Sequence, residues 1–318
     1  MRFAADHVRV RVPATSANLG SGFDALGVAL GLYDEVEVRA VSSPGAVVEV
    51  TGEGAGAVAA GEDHLVVRAI REALDRVGAS QVGLHLTCTN RVPHGRGLGS
   101  SAGAVVAGLL AARALVADPG ALDDTVVLSL ATAMEGHPDN AAPALLGGVT
   151  VAWTDPDATA RAVRLPVHPD LVPVAIVPPY ELRTAHARAV LPAQVPHADA
   201  ASQAARAALL VEAIGRRPEL LLVATEDRLH QEYRRSVMPE SLALVGALRA
   251  RGVAAVVSGA GPTVLVLARR TDTGPNGLPS TDADSAVAAA FGGVMAGWRV
   301  LPLPVDTVGA VAQRVDTR

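Results

Sequence analysis

Residues Pro93–Gly103 read PHGRGLGSSAG, and the fold is decided around them. Gly95, Gly97 and Gly99 alternate with Arg96 and Leu98, removing side chains where backbone must approach something closely. Ser100 and Ser101 stand where N-caps stand, and the stretch Ser101–Val116 is apolar almost all round, as in a buried helix. A helix start with free N–H groups and the positive end of its dipole is an anion site. The loop therefore reads as a phosphate cradle. A plain strand-to-helix turn also uses glycines and capping serines, but three alternating glycines before a serine pair exceed that need.

The 318-residue composition narrows the chemistry around this loop. All 27 basic residues are arginine. Without lysine there is no Walker A site, Schiff base, pyridoxal enzyme or ordinary protein kinase. A single cysteine, Cys88, excludes an internal disulfide and a cysteine zinc cage. A net charge of −5 argues against a nucleic-acid partner. No apolar run reaches membrane-spanning length, and the opening MRFAADHVRVRV is no signal peptide, so a cytoplasmic protein without a membrane partner is expected. Gly97–Ala102 also matches the G-x-G-x-x-[GA] dinucleotide pattern. Pro93 and His94 separate those glycines from the preceding strand, which disfavours that reading.

Outward from the loop, periodicity predicts strands at Val8–Val12, Glu35–Val38, Val82–Thr89 and Gly148–Trp153. Pro13 is expected to end the first strand and open a loop, residues 14–31. Helices are expected over His64–Val77 and from an Asp123 cap to Gly136. The polar stretch TDPDATARAVRLPVHPD places a domain boundary near residue 167, giving domains 1–167 and 168–318. The second half predicts strands at Leu171–Val177, Ala254–Val257 and Val264–Ala268. Its helices are expected at Ala204–Gly215, Leu220–Arg228 and Leu242–Arg251, with a loose stretch Thr271–Asp284. Strands and helices mix without a βαβ rhythm, so the class is α+β rather than doubly wound.

Three further stretches carry polar groups. In AMEGHPDNAAP (Ala133–Pro143), Glu135 sits at a helix C-terminus, where a carboxylate costs a few tenths to ~1 kcal/mol against the dipole. A bound cation would offset that, and Mg²⁺ suits a site of few protein oxygens plus phosphates. His137, Asp139 and Asn140 crowd the following Pro-broken turn. In PATSANLGSGFD (Pro13–Asp24), Asn18 and Asp24 suit the orientation of a small ligand, or simply a solvated turn. In VVSGAGPTVLV (Val256–Val266), structural need explains a Gly-Pro turn between apolar strands, with proximity to a phosphate site as the lesser alternative. An anionic substrate in a lysine-free chain falls to arginine, whose fork grips carboxylates at two points. That argument alone does not single out Arg188 and Arg234 among 27.

Together PATSANLGSGFDALGVAL, PHGRGLGSSAG and SGAGPTVLVL resemble, in order and spacing, the three motifs of the GHMP kinases. EGHPDNAAPALLGG, RTAHARAVLPAQ and HQEYRRSVMPE look like those of the branch that phosphorylates homoserine. The resemblance implies an N-terminal domain like the second domain of ribosomal protein S5 and a ferredoxin-like C-terminal domain. It implies ATP, Mg²⁺ and L-homoserine as ligands, in a step of threonine biosynthesis, and is compatible with a homodimer.

Carried over by position, Pro93, His94, Gly95, Arg96, Gly97, Leu98, Gly99, Ser100, Ser101, Ala102 and Gly103 form the ATP loop, with His64 near the base. Ser101 and Glu135 match the metal ligands. Asn18, Asp24, His137 and Asn140 match the homoserine pocket, and Thr184, Arg188 and Arg234 the surroundings of its carboxylate. The chain departs from the family at Ser21 (often Pro), Gly103 (usually Ala), His64 (frequently Asn) and Asn140, where sibling kinases place an aspartate base. Alignment and charge stabilisation are then expected to carry catalysis, with Asn18 and Asn140 aiming the hydroxyl and Asp139 or His137 accepting a late proton. A kinase for another small alcohol such as mevalonate, or a non-catalytic ligand sensor on the same fold, remains open on the sequence.

Overall fold

A computed structural model describes residues 2–273, 279–290 and 296–315. The first strands are β1 (His7–Ala17), β2 (Leu26–Val41) and β3 (Ala46–Gly52); then come α1 (Leu65–Arg76), β4 (Gly83–Asn90), α2 (Ser100–Leu115) and α3 (Asp124–Glu135). The chain continues through α4 (Ala141–Leu146), β5 (Val149–Thr154), β6 (Ala160–Leu165), β7 (Leu171–Val177), α5 (Thr184–Ala189) and α6 (His197–Gly215). It ends with α7 (Leu221–Ala224), α8 (Pro239–Arg249), β8 (Ala255–Val257), β9 (Val264–Thr273), β10 (Pro279–Thr281), α9 (Asp284–Ala290), β11 (Arg299–Pro302) and β12 (Val311–Arg314).

One sheet runs β12-β1-β2-β4-β3, with β5 and β6 added along the start of β2; the other runs β10-β9-β7-β11, with β8 beside β9. The strands change sheet between Leu165 and Leu171, around the expected boundary at 167. The last strand crosses back, however: β12 pairs with Val8–Arg11 of β1, so residues 168–318 do not form a self-contained unit.

The first sheet is covered by α1 to α4, with α2 buried almost all round between its neighbours. Gly108 lets α1 in, since a Cβ there would lie 2.5 Å from the Val66 carbonyl. In β7 every residue is buried because alternate side chains serve different cores. Val174 and Ile176 pack under α8, while Ala175 and Val177 join Leu26, Val28, Leu30 and Leu98 between the sheets. That shared core fixes the two halves against each other, and the ligand-sized cleft opens beside it.

Several expectations need correction. Strand β1 does not stop at Pro13 but continues to Ala17, with a register shift between Pro13 and Ala14. Pairing with β12 ends at Arg11, so the missing proline N–H costs no ladder bond on that side. Only residues 18–25 of the expected long loop lie outside strands. The helix expected over Leu220–Arg228 shrinks to a 3-10 turn and the four residues of α7. There Asp227 takes the backbone N–H groups of Leu229, His230 and Gln231, diverting the chain from the helix. The stretch Thr271–Asp284 holds the end of β9 and β10, and α9 begins at its end; residues 274–278 lie outside the described residues. Unanticipated elements are β3, β6, α4, α5, α9, β10, β11 and β12.

Candidate functional site

The glycine loop is clamped from three sides. Thr15 N–H on β1 bonds the Leu98 carbonyl at 3.0 Å. Ser258 Oγ donates to the Gly97 carbonyl at 2.6 Å, and Leu182 N–H to the Gly95 carbonyl at 2.8 Å. Gly97 has φ +75°, and a Cβ there would sit 2.3 Å from the Ser258 carbonyl. Gly99, in the left-handed region, is the N-cap of α2. This corrects the assignment of Ser100 and Ser101 as caps: they are the first two helical residues. No side chain caps α2, so its first-turn N–H groups face the cleft beside the loop.

A cleft of about 320 Å³ is lined by Gly95, Gly97, Leu98, Gly99, Ser100, Ser101 and Ala102 on this side. Glu135, His137, Asp139 and Asn140 come from the α3–α4 junction, Asn18 from the β1–β2 loop, and Thr184, Arg188 and Arg234 from the second half. Of the expected loop residues, Pro93, His94, Arg96 and Gly103 do not line it. Arg96 turns away to the carbonyls of His94, Pro178 and Pro179. Gly103 faces Val12.

A second cavity of about 300 Å³ meets the first at Ser100 and Ser101 and is lined by His64, His94, Asp34 and Asn90, with Cys88. His64 is 6% exposed, and its Nδ1 is buried without a hydrogen-bond partner. Burial, with the nearby His94, pulls its pKa down, so the ring is neutral. Burial also pushes the Cys88 thiol up to about 12, which makes it inert.

Ser101 Oγ donates to Glu135 Oε1 at 2.6 Å, so the start of α2 meets the end of α3. Burial raises the Glu135 pKa, outweighing the Ser101 bond. A hydroxyl and a desolvated carboxylate form a hard-oxygen donor set that fits a small divalent cation also bound by phosphates. Next to them His137 Nδ1 bonds Asp139 Oδ1 at 2.5 Å, with Asp139 only 1% exposed. Burial opposes charge on His137, but the bond to Asp139 and its negative charge hold the pKa above the ordinary value. Thr15 Oγ1 donates to Asn140 Oδ1 at 2.8 Å, which leaves the Asn140 amide N–H₂ as its available group.

The β1–β2 loop is conformationally costly: Asn18, Leu19 and Asp24 all have positive φ, rare for side-chain-bearing residues. Asn18 holds it, accepting from the Asp24 N–H at 2.9 Å and donating to the Gly259 carbonyl at 2.8 Å. Its amide is thus largely spent on structure. Asp24 reaches the cleft through Arg188, which grips it with two bonds. Arg234 is 1% exposed; Nε donates to the Ala187 carbonyl, and Nη1 to His230 and the Gly259 carbonyl. Desolvation and the nearby Arg188 lower its pKa to about 10.

Sequence reasoning assigned no site role to Thr15 or His230, and for the Ser258–Pro262 turn it preferred a purely structural role. That turn is part of the site, since Gly259 and Ala260 line the cleft and Ser258 holds the glycine loop. Its SGAGP composition was visible, but its contact with a loop some 160 residues earlier was not.

Comparison with known proteins agrees with this geometry. Residues 64–148 match the GHMP kinases N terminal domain, and residues 203–291 the GHMP kinases C terminal domain. Homoserine kinase of Streptomyces avermitilis is 58% identical over 267 residues, covering 84% of this chain and 87% of that protein. Homoserine kinase of Clavibacter michiganensis is 49% identical over 309 residues, covering 97% and 95%. The crystal structure of homoserine kinase from Cytophaga hutchinsonii superposes with a TM-score of 0.80 at 27% identity, covering 98% of this chain and 99% of that one.

Proposed function

The chain belongs to the GHMP kinases and is an ATP-dependent kinase of homoserine; on that premise we propose how its cleft divides the work. The observation that carries the reading is a single cleft joining an uncapped helix start to two guanidinium groups, one of which is bonded to the Asp24 carboxylate behind the cleft wall. The first matches the phosphates of ATP, the second the zwitterionic head of an amino acid.

The nucleoside end occupies the second cavity, where the orphaned His64 Nδ1 meets a polar group of the base. The triphosphate passes Ser100 and Ser101 onto the N–H groups of the loop and α2. Ser101 Oγ and Glu135 would hold Mg²⁺, which when bound would neutralise phosphate charge. Asp24 takes the substrate ammonium, and Arg188 with Arg234 its carboxylate, with Thr184 at the rim. The side-chain hydroxyl then lies by Asn140 and His137. Its oxygen attacks the γ-phosphorus as the bond to the ADP oxygen breaks.

Asn140 donates through its amide and accepts no proton from the substrate. Asn18 acts by holding Asp24 and Gly259 in place. His137 Nε2, with Nδ1 fixed by Asp139, accepts the hydroxyl proton late in the transfer. Most of the rate comes from alignment and charge complementarity.

The test is ADP release with Mg·ATP against L-homoserine, mevalonate, galactose and a blank. Turnover with L-homoserine alone is expected. Turnover with mevalonate would overturn the amino-acid pocket while leaving the phosphate site, and silence on the panel with ATP bound would favour a ligand sensor.

A further inference from the structure

His230 lies outside the substrate contacts assigned above, yet it touches both halves of the pocket. It is fully buried and follows Asp227, whose carboxylate collects the N–H groups of Leu229, His230 and Gln231. Its Nδ1 faces Arg234 Nη1 at 2.9 Å, and its Nε2 faces the Gly20 carbonyl at 2.8 Å. An arginine only donates and a carbonyl only accepts, so the partners fix the tautomer: Nδ1 is bare and Nε2 carries the hydrogen. A second proton would set N–H against N–H at Arg234.

The ring also stacks on Phe23, with centroids 4.9 Å apart and planes 17° apart. Phe23 lies in the loop that carries Asn18 and Asp24. The guanidinium carbons of Arg188 and Arg234 each lie 5.8 Å from the centre of its ring. One imidazole thereby spans from the buried arginine to the loop whose carboxylate faces the substrate ammonium.

We propose that His230 is a positioning residue for the amino-acid substrate: its bare Nδ1 aims the Arg234 guanidinium, while the Nε2–H bond to the Gly20 carbonyl fixes the tautomer that leaves Nδ1 bare. The proposal rests on the reading of Arg234 as a carboxylate clamp. With Nε, Nη1 and the ring face engaged, Arg234 has little freedom left when the substrate arrives, so less ordering is required on binding. Burial lowers the His230 pKa, consistent with the neutral ring the bonds require.

Two isosteric variants separate the two nitrogens. His230→Asn keeps an acceptor near the Nδ1 position and loses the link to Gly20. His230→Gln keeps a donor near the Nε2 position and removes the acceptor for Arg234. Steady-state kinetics with Arg234→Gln as reference should show homoserine KM raised about tenfold or more in His230→Gln and Arg234→Gln. In His230→Asn it should stay within about threefold, with KM for ATP unchanged in all three.

Equal homoserine KM in the two His230 variants, with Arg234→Gln still impaired, overturns the positioning role and leaves the clamp. An unmoved KM in Arg234→Gln removes the clamp, and this proposal with it. Parallel loss of ATP and homoserine affinity in both His230 variants makes His230 a packing residue and also overturns it.

Discussion

Arg188 holds Asp24 through both terminal guanidinium nitrogens, at 2.6 and 3.1 Å, across 164 residues of sequence. In the proposed pocket each group stands in for what the other would receive from a substrate: a carboxylate on the arginine, a cation on the aspartate. Both side chains are about one-third exposed, so the pair itself adds little stability and can exchange partners. A zwitterion entering the cleft replaces both halves of the lost contact, whereas a molecule with one charge leaves the other partner unpaired.

On the proposed pocket, that exchange predicts selectivity for an amino acid. A charge-assisted hydrogen bond is worth about 1.5–3 kcal/mol, so Asp24→Asn should lower kcat/KM for homoserine about 10- to 150-fold. 4-Hydroxybutyrate, which keeps the carboxylate and hydroxyl but lacks the ammonium, should be a poor substrate of the native enzyme. The ratio between the two substrates should shrink in Asp24→Asn. An unchanged ratio would show that Asp24 does not read the ammonium.

The proton acceptor is tested by pH. His137 must be neutral to accept, and Asp139 holds its pKa above the ordinary histidine value. Activity should therefore rise with pH through a limb above that value. Asp139→Asn keeps the burial and removes the charge, so the limb should move to lower pH in a kcat profile. A limb that stays in place or moves upward sends the proton elsewhere. Stability runs the opposite way, as for any group whose folded pKa is raised. The His137–Asp139 contribution is full below the unfolded pKa of the imidazole and is lost as pH rises through the folded value.

Glu135 makes a second pH prediction. Burial raises its pKa, so protons compete with a cation for this carboxylate over a higher pH range than usual. The Mg²⁺ concentration giving half-maximal activity should rise as pH falls. Glu135→Gln retains an acceptor for Ser101 but carries no charge. It should need about tenfold more Mg²⁺ and lose that pH dependence. The same Mg²⁺ requirement in the native and variant proteins would remove Glu135 from the metal site.

What the sequence made legible tracks with how local the cause is. The Asp123 cap and the Gly136 stop depend on neighbours within a turn, and each is found as read, whereas the helix after the glycine loop starts from Gly99 rather than from a capping serine. Glu135 was legible as well, because a carboxylate at a helix end is anomalous wherever the helix lies. Strands β3, β10 and β12 depend on partners chosen by the whole sheet. His230 escaped notice because its role comes from contact with Gly20 and Phe23, over 200 residues earlier. Pro13 misled because a proline ends a strand only where its N–H would have been used.

Two glycines in the same loop and helix should respond in opposite directions to alanine. Gly103 has ordinary helical geometry, and a Cβ there would meet Val12 methyl carbons at 3.7 and 3.8 Å, normal contact distances. Gly103→Ala should therefore stabilise the fold by ~0.5–1 kcal/mol, since glycine inside a helix costs about that much relative to alanine. Urea unfolding should show the midpoint rise with ATP affinity unchanged. Gly99 has φ +70°, and a Cβ there would lie 1.9 Å from Thr15 Oγ1, the group that holds Asn140. Alanine in the left-handed region costs ~1–2 kcal/mol before that collision is counted. Gly99→Ala should lower the midpoint and raise KM for ATP about tenfold or more, because Thr15 and the start of α2 must part. If Gly99→Ala binds ATP normally, the phosphates do not lie on this helix start, and the placement of every substrate group measured from it must move as well.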